Sequence, residues 1–393
     1  MKNSRFLAIK LWCLIVLVSA CHKSNSNVVT NNSDTTSPKQ FYAVKDFVMG
    51  VDLSMVNEVE DNGGKFYDSS IQKDVFAICK NHGANLVRVR LWNNPSWQDT
   101  LKNGKRYSDI ADVEKTISRA KAAGMAVNLD FHYSDIWADP NTQTIPSAWA
   151  GLPLTKLKDS IYNYTLWVLN ELKSKQLTPY MVQIGNETNQ GMLWPTGKIT
   201  NNDFSAFSSL LQSGIKALRD FSTSSPIKPL ILLHVAQLQN ADWFADGVIN
   251  KGGVTDFDIL GISHYVDYTS ISSMTAVTSA ISSLTSKYHK EIMLAEFSYP
   301  WTTANADSYP NIATKSFANY PLTKQGQFDY IKDLTQAVIK GGGKGVMYWE
   351  PAWITSKMKD LWGIGSSWDN NTLFDFQGNA LPAINFMNAK YQF

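Results

Sequence analysis

Eight short β-rich runs, each followed by a longer stretch, recur between residues 47 and 351, and this alternation restricts the fold more than any other feature of the chain. The runs lie at 47–54, 86–92, 126–133, 181–187, 229–235, 258–266, 292–299 and 345–351. Amphipathic stretches separate them at 71–82, 110–123, 157–175, 204–221 and 326–340, where apolar residues recur at helical spacing, as in Ile161, Tyr164, Trp167, Val168 and Leu172. Gly83, Gly124 and Gly341 to Gly343 stand where these helices should end. Strands alternating with helices pair in parallel through crossover helices, so eight units predict an α/β fold, a single (β/α)8 TIM barrel. An open doubly wound sheet fits less well, because no glycine-rich phosphate loop follows the first run. The length of 393 residues alone would suggest two or three domains. No repeat, low-complexity block or proline-rich linker divides residues 41–393, however, so one domain is expected over 45–393.

The first forty residues read differently. Lys2, Arg5 and Lys10 precede an apolar run from Leu11 to Val18 that is too short to span a membrane, the pattern of an export signal over 1–20. The run ends in Val18-Ser19-Ala20-Cys21, which resembles a bacterial lipobox and predicts lipidation at Cys21. A Ser-, Asn- and Thr-rich flexible tether follows, so that residues 21–44 form the lipidated terminus and its leash. The expected location is the cell envelope, as an outer-membrane lipoprotein on the periplasmic or outer face. The formal net charge of +2 belongs to this segment: residues 1–40 hold five Lys/Arg and one acid, which leaves the remainder at −2. Such a balance argues against a nucleic-acid partner. With Cys13 in the signal and Cys21 lipidated, Cys79 is left alone among apolar helix residues, which excludes an internal disulfide and a cysteine metal site and predicts an inert thiol.

Barrel enzymes carry their reactive groups at strand C-termini and in the loops that follow. Here those ends hold Asp52, Arg90, Trp92, His132, Tyr133, Asp135, Asn186, Glu187, His234, His264, Tyr265, Glu296, Trp349 and Glu350. Glu187 and Glu296, 109 residues apart, end the fourth and seventh runs on opposite sides of the predicted mouth. A glutamate directly after apolar strand residues is costly to bury unless it is paired or functional, and an ion pair with Arg88 or Arg90 is the structural alternative. Two converging carboxylates are what glycoside hydrolysis requires, one protonating the leaving oxygen and one attacking the anomeric carbon. Asn186 can reach the sugar 2-hydroxyl. The chain carries 13 Trp, 16 Tyr and 18 Phe. Of these, Trp92, Trp137, Trp349 and Trp353 are expected as sugar platforms, and Trp167 and Trp243 as core. His132 and Asp135 are expected to bind hydroxyls, with Asp52, Arg90, His264 and Tyr265 completing the substrate contacts.

At these residues the sequence resembles a known family. The strand-four Asn-Glu and strand-seven Glu look like the clan of retaining (β/α)8 glycosidases. The motifs GVDLS (50–54), VRVRLWNNP (87–95), DFHYSDIWADP (130–140), QIGNE (183–187) and YWEPAW (348–353) resemble those of the arabinogalactan endo-β-1,4-galactanases of glycoside hydrolase family 53. The similarity runs from about residue 47 to 385. It implies that Glu187 is the acid/base and Glu296 the nucleophile, in a retaining endo-hydrolase of type I galactan that works as a monomer and needs no cofactor for the chemistry. Arg90 and Tyr265 should then hold the Glu296 pKa down, and an ionised neighbour should raise that of Glu187. Another polysaccharide specificity (mannan, xylan or glucan) and a non-catalytic glycan-binding lipoprotein are the alternatives; the 132–140 loop favours galactan. The chain departs from the family where His264 and Val266 replace a Tyr and a Pro around Tyr265. Asn305, Asp307, Tyr309 and Asn311 occupy positions where relatives hold a structural Ca2+, and both readings stay open: a calcium site on Asn305, Asp307 and Asn311, or a polar loop without an ion.

Overall fold

The computed structural model describes residues 47–393; the expected signal, the lipidation site Cys21 and the tether lie outside the described residues. Eight strands, β1 (Val48–Asp52), β2 (Leu86–Leu91), β3 (Ala126–Phe131), β4 (Met181–Ile184), β5 (Leu230–Ala236), β6 (Ile259–His264), β7 (Glu291–Phe297) and β8 (Gly345–Tyr348), pair in parallel and in sequence order. The barrel closes where Val48 of β1 sits beside Gly345 of β8, while Gly50 of the same strand sits beside Leu86 of β2. Helices α1 (Val75–Asn81), α2 (Ile110–Ala122), α3 (Leu154–Ser174), α4 (Ser205–Ser224), α5 (Ala241–Ala245), α6 (Met274–Tyr288) and α7 (Lys324–Lys340) return the chain between strands. A 3₁₀ helix at Pro382–Asn388 takes the eighth outer position. The expected (β/α)8 architecture is therefore the one observed.

The strand alternation explains what fills the barrel. Side chains two residues apart point the same way, and the inward set begins apolar: Val48, Leu86, Ala126, Met181, Leu232, Ile259, Met293 and Met347 form one buried cluster. Glycines make room where opposing side chains are large. A Cβ on Gly50 would lie 2.4 Å from Met347 Cγ, and one on Gly261 would lie 2.6 Å from Leu232 Cδ2. Two residues further along, the same parity delivers Arg88, Gln183 and His234, all buried. Each strand thus runs from an apolar floor to a polar mouth. The outward residues pack with the helices in a second, larger apolar cluster.

Two local expectations are corrected. The stretch 71–82 is not one helix: Ile71–Gln72 pairs with Tyr67–Asp68 in a short antiparallel hairpin. Helix α1 starts only at Val75, because the Asp74 carboxylate caps it by accepting from Phe76 N at 2.9 Å. Trp167 is not core either. The buried face of α3 is Leu157, Ile161, Thr165, Val168 and Leu172, and Trp167 lies off that face with half of its surface exposed. Trp243 is half-buried against the core, as expected. Cys79 is fully buried in α1.

Candidate active site

Simple alternation would aim Glu296 away from the mouth. Met293 and Ala295 both face the barrel interior, so the next residue should face the helices. The pairing shows why it does not. Ile262 sits beside Leu294, yet Ser263 sits beside Glu296; on the other side Val346 pairs with Leu294 and Tyr348 with Phe297. One extra residue in β7 breaks the alternation, and this bulge turns the Glu296 carboxylate inward. Glu187 is aimed by a different device. It has φ of 45°, three residues beyond the end of β4 and two beyond Gly185 at φ 81°. Tyr133 (φ 49°), Gln237 (φ 69°) and Glu350 (φ 46°) take the same left-handed backbone at the ends of β3, β5 and β8. A non-glycine residue held there costs on the order of 1 kcal/mol or more, a strain that concentrates at functional sites. Both glutamates are more than nine-tenths buried, and one oxygen of each, with one ring nitrogen of His234, lie within 4.8 Å of one another.

Arg88 organises the carboxylates. Its Nη1 donates to Asp52 Oδ2 (2.7 Å) and Glu296 Oε1 (2.8 Å), and its Nη2 to Asp130 Oδ2 (2.8 Å) and Asn186 Oδ1 (2.8 Å). Nε reaches Gln183 Oε1 at 3.1 Å. Tyr265 donates its hydroxyl to Glu296 Oε2 at 2.8 Å. The cation beside Glu296 is therefore Arg88, where Arg90 had been expected, because β2 places residue 88 one inward step below residue 90. Burial pushes the Glu296 carboxyl up to about 6, against the opposing pull of Arg88 and Tyr265. The expectation of a net lowering is thus corrected, since desolvation outweighs both partners. Glu187 is raised well above the ordinary range, first by burial and then by the charge of Glu296. The order needed for a donor beside an ionised nucleophile is preserved.

Around this pair opens a cleft of about 680 Å³, whose walls include Arg90, His132, Trp137, Asn186, Tyr265, Trp349 and Trp353. Asn186 is held by its Oδ1, while Nδ2 gives one hydrogen to Ala138 O at 2.8 Å and keeps a second for a ligand. His132 lines the cleft with both nitrogens engaged: Nδ1 accepts from Ala138 N (3.1 Å) and Trp92 Nε1 (3.3 Å), and Nε2 meets Asp130 at 3.1 Å. Four expected sugar contacts stand elsewhere. Asp52 is fully buried on Arg88. Trp92 is buried behind Trp137 (centroids 5.3 Å, nearly perpendicular). Asp135 staples its own loop by accepting from Asn94 N, Ser147 N and Ser147 Oγ. His264 is fully buried behind the wall, with neither ring nitrogen hydrogen-bonded among the described residues, and burial lowers its pKa to about 4. Strand parity turns His264 off the cleft and loop curvature turns Asp135, whereas Asp52 points inward and is spent on Arg88.

Other residues of the site take roles that the sequence did not assign. His234 Nδ1 accepts from Glu187 N at 3.2 Å and its Nε2 meets Ser263 Oγ at 2.9 Å, which fixes the backbone that carries Glu187. Arg90, 3.5 Å from Glu350 Oε1, lies over the Trp137 ring at 4.0 Å and so backs that platform. Tyr268, Trp362 and Trp368 extend the aromatic wall. The sequence signal for these rings was only that they follow strands six and eight.

The loop at 305–311 does not fit a calcium ion. Asp307 accepts from Tyr309 N (2.8 Å), Ser366 N (2.8 Å) and Thr355 Oγ1 (2.5 Å). Asn305 turns its Nδ2 to Tyr309 O, and Asn311 donates Nδ2 to Asp369. Asp307 thus spends most of its capacity on protein donors, and Asn311 Oδ1, buried with no partner among the described residues, adds one oxygen where Ca2+ takes six to eight.

Known proteins resemble this chain over most of its length. Residues 48–387 match glycosyl hydrolase family 53. An arabinogalactan endo-β-1,4-galactanase of Cellvibrio japonicus is 42% identical over 355 residues, 88% of this chain and 92% of its own length. An endo-β-1,4-galactanase of Bacillus subtilis is 36% identical over 86% of this chain and 85% of its own. Among solved structures, the family 53 catalytic domain of Ignisphaera aggregans superposes with a TM-score of 0.80 at 35% identity, covering 88% of this chain and 97% of that one. A fungal β-1,4-galactanase gives 0.73 at 32% identity, covering 87% and 98%.

Proposed function

The chain belongs to glycosyl hydrolase family 53, and from that membership and the carboxylate geometry we propose that it hydrolyses internal β-1,4-galactosidic bonds of type I galactan with retention of configuration. The single observation that carries the mechanism is the separation of the two carboxylates. With oxygens of Glu187 and Glu296 within 4.8 Å, the pair has the short spacing of a retaining enzyme, about 5–5.5 Å, and leaves no room for the water that an inverting enzyme places between carboxylates at about 6.5–9.5 Å. Glu296, held by Arg88 and Tyr265, attacks the anomeric carbon as Glu187 delivers its proton to the departing oxygen. The glycosyl-enzyme ester then meets water. Glu187, now ionised, takes a proton from that water, whose oxygen bonds to the anomeric carbon as the ester to Glu296 breaks. Both carboxyl groups return to their starting states.

The substrate follows from the relatives and from the wall. Trp137 and Trp349, the latter backed by the buried Trp353, offer apolar faces for the C–H faces of a neutral sugar, and an open cleft admits the middle of a chain. Incubation with linear galactan, mannan, xylan and type II arabinogalactan tests this: galactan alone should yield oligosaccharides, and cleavage of mannan or xylan in its place overturns the assignment.

The anchor at Cys21 rests on the sequence around the Val-Ser-Ala-Cys motif and its polar tether. Cys21→Ala should move the protein from the membrane fraction to the soluble one; unchanged membrane retention refutes lipidation at that residue.

A further inference from the structure

Helix α3 carries an unusual outer face. Ser160, Asn163, Trp167, Asn170 and Ser174 follow one another at spacings of three and four residues, which sets them in a single stripe. At 1.5 Å per residue the stripe is about 21 Å long. None of its members is charged, and all except the half-buried Ser160 are exposed. Near its ends Lys156 faces Asp159 and Glu171 is tied to Lys175 at 2.7 Å, while Lys173 turns to Ser224 O on the neighbouring helix at 2.7 Å.

The centre of the stripe is a fixed aromatic platform. Trp167 keeps half of its surface in water, while its other side rests on Tyr164 with ring centroids 5.8 Å apart and planes inclined by 33°. Tyr164 in turn packs edge-on against Trp149 and Phe131. The indole is therefore held rigid from behind, and little conformational entropy is lost when a ligand covers it. On either side, four residues before and three after, the amides of Asn163 and Asn170 have no protein partner among the described residues, so each presents donors and an acceptor beside the ring.

We infer that this face of α3 is a second binding site, separate from the cleft, for a neutral polysaccharide chain. A rigid exposed ring flanked by uncommitted amides matches a sugar's apolar face and equatorial hydroxyls. The absence of net charge along the stripe disfavours an anionic polymer or an anionic lipid surface. Held at both cleft and helix, a long chain gains effective concentration at the catalytic pair. The identity of that chain as galactan rests on the function proposed above.

Affinity electrophoresis through gels containing linear galactan tests the site, using Glu187→Gln as the parent so that the polymer survives. Adding Trp167→Ala should weaken retardation about fivefold or more, and Asn163→Ala with Asn170→Ala should weaken it with no packing lost. In the otherwise native enzyme, Trp167→Ala should leave turnover of a short galacto-oligosaccharide within twofold while raising KM on the polymer. Equal retardation of parent and both variants overturns the inference, as does a Trp167-dependent dimer in light scattering. If the native enzyme ignores galactan but is retarded by another neutral glycan through Trp167, the second site stands and the substrate reading falls.

Discussion

Replacing Arg88 by Met should move the rising limb of the pH profile, because Arg88 is the cation that keeps Glu296 charged. Its Nη1 lies 2.8 Å from Glu296 Oε1. At an effective dielectric constant of about 20, unit charges about 4 Å apart interact by about 4 kcal/mol, equivalent to about 3 pKa units. Asp52 and Asp130 lose the same partner, and a proton taken up by either offsets part of the loss, which brings the shift to about 1–2 units. The sign is set by the role of Glu296. It acts ionised, so kcat/KM rises with pH through its pKa, which burial has already pushed up to about 6. In the variant the limb should appear at about pH 7–8, so that activity at pH 6 falls about 5- to 50-fold and recovers partly on raising the pH. Arg88→Lys separates charge from geometry. It retains a cation, so its limb should stay near the native position, while one ammonium cannot bridge Asp52, Asp130, Glu296 and Asn186 together and kcat drops. The assay is kcat/KM on a soluble galacto-oligosaccharide from pH 4 to 9, with melting curves alongside, since an unpaired buried carboxylate destabilises by about 3–5 kcal/mol. A folded Met variant whose limb has not moved refutes the account of how Glu296 is kept ionised.

Azide separates the roles of the two glutamates. Glu296→Ala should lose about 10⁴-fold in turnover, with azide restoring it as an α-glycosyl azide. Glu187→Ala should give the β-azide; the same anomer from both variants refutes the assignment. EDTA should leave Tm unchanged, because protein donors occupy the Asp307 oxygens; a fall of several degrees reversed by calcium refutes this. Burial pushes the Cys79 thiol up to about 12, so a disulfide reagent at pH 8 should find no thiol at that position until the protein is unfolded. Prompt modification of Cys79 in the native state contradicts the packing of α1.

The barrel was legible because both of its periods are local. Inward floor residues such as Val48, Leu86 and Met181 repeat every second position, and α3 buries Ile161, Thr165, Val168 and Leu172 at helical spacing. Glu187 and Glu296 were legible as charged residues ending apolar strands, a placement that core packing does not supply. The partner of Glu296 was less legible: Arg88 and Arg90 share a parity, and only the register that sets residue 88 beside Asp52 brings its guanidinium to Asp130 and Glu296 as well. Trp167 misled for a related reason. A ring three residues after Tyr164 satisfies a loose helical period, yet the centre of the buried face decides which side of the helix it occupies.

By itself the sequence determined the class of fold, the one-domain organisation and the two reactive carboxylates, since hydrophobic periodicity and the desolvation cost of a strand-end glutamate act over a few neighbouring residues. Tertiary structure alone decided where those carboxylates point. The bulge in β7 arises from pairing with β6 and β8 at once, the left-handed backbone at Glu187 is fastened by His234 from β5, and the guanidinium between three acids is assembled from four strands. These are contacts between residues tens to hundreds of positions apart, and no local period records them.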